Sequence, residues 1–214
     1  MKACIPLLAL FAGLAPGAAR AAPLERDLGK GLAYFRVHSL PADLPPDERA
    51  RGRPCVVDVR YVHGNRAASA ALLVWLKSHA GPKSPVFLLA NSDTSPALLV
   101  PLNSASAVPD LVVLGPAARN FEPDISLTVA PAVERRAYDA LENGAAVDSL
   151  VTEPVEKARN DEERLDRDHL ADSAPPDQAL EPGQPAQARE PPLIDPVLQR
   201  AVQLHRALLA LKRL

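Results

Sequence analysis

The stretch Cys55-Val56-Val57-Asp58-Val59-Arg60-Tyr61-Val62-His63-Gly64 decides the fold of this chain. It opens with β-branched apolar residues, which are typical of a buried strand, and it closes on a glycine. Residues 65–79 then place Ala68, Leu72 and Leu76 on one helical face, and Asn65 can cap that helix. A buried strand followed directly by a helix predicts an α/β unit.

The same alternation continues on both sides of this stretch. Because nearly continuous apolar strands separated by helices are typical of sheets covered on their faces, we expect an α/β domain. Further strand-like runs lie at residues 32–38, 86–90, 111–114 and 125–129, with a weaker one at 147–151; helical patterns lie at residues 95–103, 131–143 and 154–171.

Composition excludes some classes of function. The chain has 214 residues, of which 47% are hydrophobic and 23% charged, so it is an ordinary globular sequence. Its 24 basic residues nearly balance its 26 acidic residues, which argues against a nucleic-acid partner bound through bulk charge. With only one Trp, three Tyr and four Phe, a platform for stacking bases is not expected either.

Residues 1–21 are predicted to be a signal peptide, because Lys2 precedes a short apolar run and Ala19-Arg20-Ala21 fits a cleavage site. We therefore expect an exported protein, periplasmic or extracellular. The apolar run is too short to cross a bilayer, and no spanning segment is expected in the mature chain. Cleavage would leave one cysteine, Cys55, so no internal disulfide can form.

Composition also divides the chain into regions. The α/β domain is expected over residues 22–172, a proline-rich linker over 173–192, and an amphipathic helix over 193–214. One face of that last helix is apolar and the other basic. Three roles are open for it: docking on its own domain, binding a partner, or peripheral contact with an anionic membrane.

Four segments resemble, in order, the carboxyl-terminal processing (tail-specific) serine peptidases. Residues 31–37 (GLAYFRV) resemble the family's opening strand "GYIRI", and residues 55–64 resemble its "LIIDLRNNPGG". Residues 86–95 (VFLLANSDTS) resemble "VVVLVNxxTAS", and residues 122–127 (EPDISL) resemble its late "PDI-V" strand. The resemblance implies a ClpP/crotonase-like fold for residues 31–144.

The resemblance also implies a serine nucleophile at a helix start, a lysine base and an oxyanion hole of backbone N–H groups, but the site is degenerate. Pro96 either occupies the serine position or directly follows Ser95, where it supplies no N–H. Losing one such donor typically costs ~10²–10³ in turnover. After Lys83 the next lysine is Lys157, and residues 116–124 are too few for the hairpin that carries the family's lysine.

We therefore expect an exported, catalytically inactive relative of these peptidases that binds a peptide or a protein partner. The candidate binding residues lie where strands meet helices: Gly64, Asn65, Asn91, Ser92 and Thr94. Asn91, Ser92 and Thr94 equally suit ordinary turn chemistry.

Two alternatives stay open. One is an active serine hydrolase in which Ser95 is the nucleophile and His38, His63 or His79 replaces the lysine. The other is a structural or assembly factor that acts through its C-terminal helix. No metal site or cofactor is predicted, because no His/Cys/Asp/Glu cluster has ligand spacing and no glycine loop could hold a phosphate. Asp58 and Arg60 share a strand face, where we expect charge-assisted pairing with neighbouring side chains.

Overall fold

The computed structural model describes residues 24–103, 108–152 and 192–214. Their six strands form one sheet in chain order, with the first pair antiparallel and all other pairs parallel. The class is therefore α/β, with a mostly parallel sheet. The strands are β1 Leu24–Asp27, β2 Ala33–Arg36, β3 Cys55–Asp58, β4 Val86–Leu89, β5 Leu111–Gly115 and β6 Ile125–Ser126.

Helices cover both faces of this sheet. From β2 onward, each strand lies beside and parallel to the next strand in the chain, so the chain must cross over the sheet between them. These crossovers are right-handed, and in a sheet with this strand order they place successive helices on the same face. The first three helices pack on one face and the last three on the other. The helices are α1 Asp47–Ala50, α2 Arg66–His79, α3 Pro96–Leu102, α4 Pro131–Glu142, α5 Val147–Val151 and α6 Pro196–Ala210.

Helix α2 shows how local sequence sets the first face. The Asn65 side chain accepts a hydrogen bond from the Ala68 N–H at 3.0 Å, as the sequence predicts. Leu72 and Leu76 are buried against the sheet, and the Trp75 indole N–H donates to the Pro45 carbonyl at 2.8 Å. Burial of this apolar stripe holds β3 and β4 in place beneath the helix.

Helix α6 completes the second core. Val197, Leu198, Ala201 and Val202 are buried there with apolar side chains of β3, β4 and β5. The Asp195 side chain caps the helix by accepting from the Leu198 N–H at 3.0 Å. The apolar face of the C-terminal helix is thus packed on the sheet in this structure. Within the described ranges, no helix has both the length and the apolar character that crossing a bilayer requires.

The five strands after β1 and helices α2, α3 and α4 lie where the sequence pattern predicts them. The weak strand predicted at residues 147–151 is wrong, because this segment is helix α5. Its valines favour a strand by propensity, but Leu150 and Val151 are buried in the second core beside α6, and tertiary packing decides. Strand β1 and helix α1 were not predicted. The predicted signal peptide, the helix predicted at residues 154–171 and all but the last residue of the predicted linker lie outside the described residues.

Candidate functional site

The predicted site residues meet at the carboxyl ends of β3 and β4, where ligands usually bind in open α/β sheets. The loop after β3 leads to Gly64 and Asn65, and the loop after β4 contains Asn91, Ser92 and Thr94. Ser95 directly precedes helix α3. The residues that the sequence singled out therefore do lie in adjacent loops.

The Ser95 hydroxyl joins these two loops. Its Oγ accepts a hydrogen bond from the Gly64 N–H at 3.2 Å and donates to the Gly64 carbonyl at 3.0 Å. The Ser95 N–H donates to the Val62 carbonyl at 3.0 Å. A serine hydrolase would need both groups for catalysis, the hydroxyl as the nucleophile and the backbone N–H as an oxyanion donor. Here the hydroxyl donates its proton to the Gly64 carbonyl, and the Gly64 N–H donates to the Ser95 hydroxyl.

The surroundings of Ser95 do not favour activation. Pro96 is the first residue of α3 and offers no N–H beside the hydroxyl. Lys83 precedes β4 whereas Ser95 follows it, so the two lie at opposite ends of that strand. Ser95 occupies the N-cap position of α3, but its side chain makes no hydrogen bond to that helix.

The histidines proposed as substitute bases have other environments. The His79 ring is buried, stacks on Trp75 and lies 3.1 Å from an oxygen of Asp47. His38 lies 3.6 Å from a carboxylate oxygen of Glu142. His63 is exposed one residue before Gly64.

Asn91 and Thr94 build the loop after β4. The Asn91 side-chain oxygen accepts from the N–H groups of Tyr61 (3.3 Å), Asp93 (3.2 Å) and Thr94 (3.1 Å). The Thr94 hydroxyl donates to the Val59 carbonyl at 3.0 Å. Both side chains are buried, so their role is turn chemistry that fixes the loops, while Ser92 and Asn65 are exposed.

A group of charges is buried directly beneath these loops. We name it the buried ionic cluster; its members are Asp58, Arg60, Asp195 and Glu134. The Arg60 Nη2 donates to Asp58 at 2.7 Å and to Asp195 at 2.8 Å, and the three residues are fully buried. Asp58 and Arg60 therefore pair with each other, and Arg60 pairs also with Asp195. The part played by Asp195 could not be read from sequence, because it lies 135 positions from Arg60.

Charge pairing sets the protonation states in this cluster. Burial opposes ionisation of Asp58, yet Arg60 holds the pKa of that carboxyl below its ordinary value. Burial equally opposes the charge of Arg60, but Asp195 and Asp58 raise its pKa well above the usual value. Asp58 and Arg60 thus stay ionised together, as a buried ion pair requires.

Glu134 is the poorly satisfied member of the buried ionic cluster. Its Oε1 lies 3.7 Å from Arg60 Nη1 without a hydrogen bond, and its Oε2 accepts from the Asn91 amide at 3.4 Å. Burial raises the pKa of Glu134, and the attraction of Arg60 offsets only part of that effect. The carboxyl is therefore easier to protonate than an exposed glutamate.

The cluster extends sideways through Tyr34. The Tyr34 hydroxyl donates to Asp58 at 2.7 Å and accepts from Arg36 Nε at 3.0 Å. Arg36 is itself fully buried, lies 3.7 Å from the centre of the Tyr138 ring and pairs with Glu142 at 2.7 Å. Burial, with the Asp58 charge beside it, raises the pKa of Tyr34 well above normal, so the phenol remains a donor.

Above the buried ionic cluster lies an open polar cavity of about 320 Å³, lined by Tyr61, His63, Asp93 and Arg135. We name it the Tyr61 pocket. Tyr61 has a φ of 63°, a conformation that bulky residues rarely adopt and that often marks a functional site. Its ring packs edge-on against Tyr138 at 4.8 Å, and the Arg135 guanidinium lies 4.6 Å from its centre.

Of these four residues only His63 stood out in the sequence, as a candidate base, and the pocket itself was not predicted. His63 and Asp93 follow the ends of two neighbouring strands, so their positions in the sequence could have indicated a ligand pocket there. Arg135 gave none, because α4 carries it back from a distant part of the chain. A larger cavity of about 780 Å³ lies between α3 and the loop before β6, where the Asn103 side chain bonds to the backbone of Asn120 and Glu122.

No protein family model matches the chain, and a search of curated proteins finds no similar sequence. Within the described ranges, no three His, Cys, Asp or Glu side chains are placed to hold a metal ion.

Proposed function

We propose that this protein is an exported, non-catalytic binding module, a degenerate relative of the processing peptidases with a ClpP/crotonase-like domain. It holds a peptide or protein partner at the carboxyl ends of β3 and β4. The observation that carries the proposal is the mutual hydrogen bonding of Ser95 and Gly64, which occupies both the hydroxyl and the backbone N–H that catalysis would need.

The fold class and the position of the two loops, at the carboxyl ends of β3 and β4, support this proposal. We call the groove between these loops the cleft. Parallel strands that end in polar loops are the usual ligand site of α/β folds, and here those loops are fixed by Asn91 and Thr94. Rigid loops lower the entropic cost of holding a partner. Beside them, the Tyr61 pocket offers charged groups at the surface.

A peptide library displayed against the mature chain, residues 22–214, tests the proposal. We expect selected peptides to bind the wild type, to lose binding to Ser92→Trp, and to remain uncleaved by mass spectrometry. Ser92 is exposed, so the tryptophan covers the cleft without entering the core. Arg200→Gln, on the exposed face of α6, is the matched control and should bind normally.

The alternatives give different results in the same experiment. Cleavage of a bound peptide that disappears in Ser95→Ala would contradict the proposal and favour the serine hydrolase. Loss of binding in Arg200→Gln, with Ser92→Trp unaffected, would favour the assembly factor. Deletion of residues 193–214 cannot separate these cases, because it removes Asp195 and part of the second core.

A further inference from the structure

The Tyr61 pocket contains opposite charges that do not neutralise each other. Asp93 and Arg135 both line it, yet among the ion pairs of the described residues Arg135 pairs with Asp139, at 3.0 Å, and not with Asp93. The Arg135 hydrogen bond to Asp139 uses Nε, and a guanidinium carries four further N–H donors. A pocket with a free carboxylate on one side and donor groups on the other suits a ligand with both charges.

The walls of the pocket limit the size of that ligand. Its volume of about 320 Å³ lies at the lower end of the range of about 300–1,000 Å³ for small-molecule sites. The Tyr61 ring forms an apolar wall, held by Tyr138 and by the Arg135 guanidinium. His63 supplies an imidazole at the open side.

The Tyr61 backbone gives the pocket a fixed shape. Its left-handed conformation is held because Asn91 accepts the Tyr61 N–H, and Asn91 in turn donates to Glu134 of the buried ionic cluster. The ring is therefore positioned before any ligand arrives. Such preorganisation is what a small ligand needs, because it has few contacts to offset the entropy of binding.

We propose that the Tyr61 pocket binds a small zwitterion, an α-amino acid or a dipeptide, with its ammonium group at Asp93 and its carboxylate at Arg135. The inference rests on the proposed binding function and names the chemistry that this cleft recognises. Charge-assisted hydrogen bonds to both ends would fix the orientation of the ligand, and the Tyr61 ring would contact its aliphatic part.

Titration of the ¹⁵N-labelled mature chain, followed by NMR, tests this assignment. The ligands are L-alanine, L-alanyl-L-alanine, alaninamide with only the cation, and N-acetylalanine with only the anion. We expect saturable shifts of the His63, Gly64 and Asp93 amides with a zwitterion, and affinities at least about tenfold weaker for both singly charged compounds. Comparison of L-alanine with L-alanyl-L-alanine shows whether the pocket prefers an amino acid or a dipeptide.

Charge-removing variants locate the two contacts. Asp93→Asn and Arg135→Gln should each weaken zwitterion binding about tenfold or more, while Asp110→Asn and Lys83→Gln, which lie beyond the amino ends of the strands, should leave it unchanged. Equal binding of N-acetylalanine, or no binding of either zwitterion, would overturn the inference. If peptides selected from the library still bound the cleft, the zwitterion assignment would be wrong but the proposed binding function would remain.

Discussion

The buried ionic cluster and the Tyr61 pocket each contain an arginine and an aspartate, but in opposite environments. In the cluster, Arg60 is fully buried and pairs with two aspartates. In the pocket, Arg135 and Asp93 are exposed and unpaired with each other. Buried charges must be paired to be tolerated, whereas charges at the surface are stable without a partner and remain available to a ligand.

Removing a partner from the buried ionic cluster should have the largest effect. Asp195→Ala removes one of the two aspartates that pair with the buried Arg60, leaves Arg60 Nη1 without its acceptor and removes the cap of α6, so the free energy of unfolding should fall by about 2–4 kcal/mol. Urea unfolding monitored by circular dichroism measures it. Asp110→Asn is the exposed control, and a loss below about 1 kcal/mol would show that the cluster does not hold α6 in place.

Glu134→Gln, in contrast, should raise the free energy of unfolding at neutral pH. Because the folded-state pKa of Glu134 is raised, wild-type stability falls as the pH rises from the ordinary glutamate value of about 4.3 through the raised value. At neutral pH the glutamine variant should be more stable, by about 1.4 kcal/mol for each unit by which the pKa is raised.

Unfolding of both proteins between pH 4 and pH 8 checks the sign of this effect. The stability difference should shrink toward zero on the acid side, where Glu134 is protonated in both the folded and the unfolded state. A glutamine variant that is less stable at neutral pH would mean that the Arg60 charge outweighs the burial of Glu134.

Ser95→Ala should have a smaller effect. It removes both hydrogen bonds between Ser95 and Gly64, but the site is only half-buried and water can replace them, so we expect a loss of about 1 kcal/mol. Thermal unfolding measures it, with the exposed Ser92→Ala as control. No loss of stability would show that this contact does not hold the two loops together.

The pocket variants should have the smallest effect on stability. Asp93→Asn and Arg135→Gln alter exposed side chains, so each should change the free energy of unfolding by less than about 0.5 kcal/mol. Denaturant unfolding of both variants checks this. A loss above about 2 kcal/mol would show that Asp93 and Arg135 stabilise the fold as the buried ionic cluster does. The two regions would then not differ in the way described above.

Much of the fold was predictable because apolar periodicity dominates this sequence. The run that begins at Cys55 becomes a fully buried strand, and Asn65 caps the helix that follows. Residues 147–151 could not be assigned correctly, because the contact that makes them helical involves α6, far away in the chain.

The candidate site was only half predictable, for a similar reason. The loops that carry Gly64, Asn91 and Ser95 were found because the segments that contain them resemble peptidase motifs and follow predicted strands. Arg135 and Asp195 enter the site from distant segments, and nothing in their local sequence indicates a partner. Long-range placement of a charged side chain is set by the whole fold, not by its neighbours in the chain.

Fluorophosphonate labelling of a purified protein that spans residues 22–214 tests the central claim most directly. The sample contains folded residues 22–214, the labelled site is mapped by mass spectrometry, and Ser95→Ala and Ser92→Ala serve as controls. The hydrogen bonding of Ser95 with Gly64 predicts no labelling of Ser95 above the level of the Ser95→Ala variant. Stoichiometric labelling of Ser95 that the alanine variant abolishes would contradict a binding role without catalysis and identify a serine hydrolase.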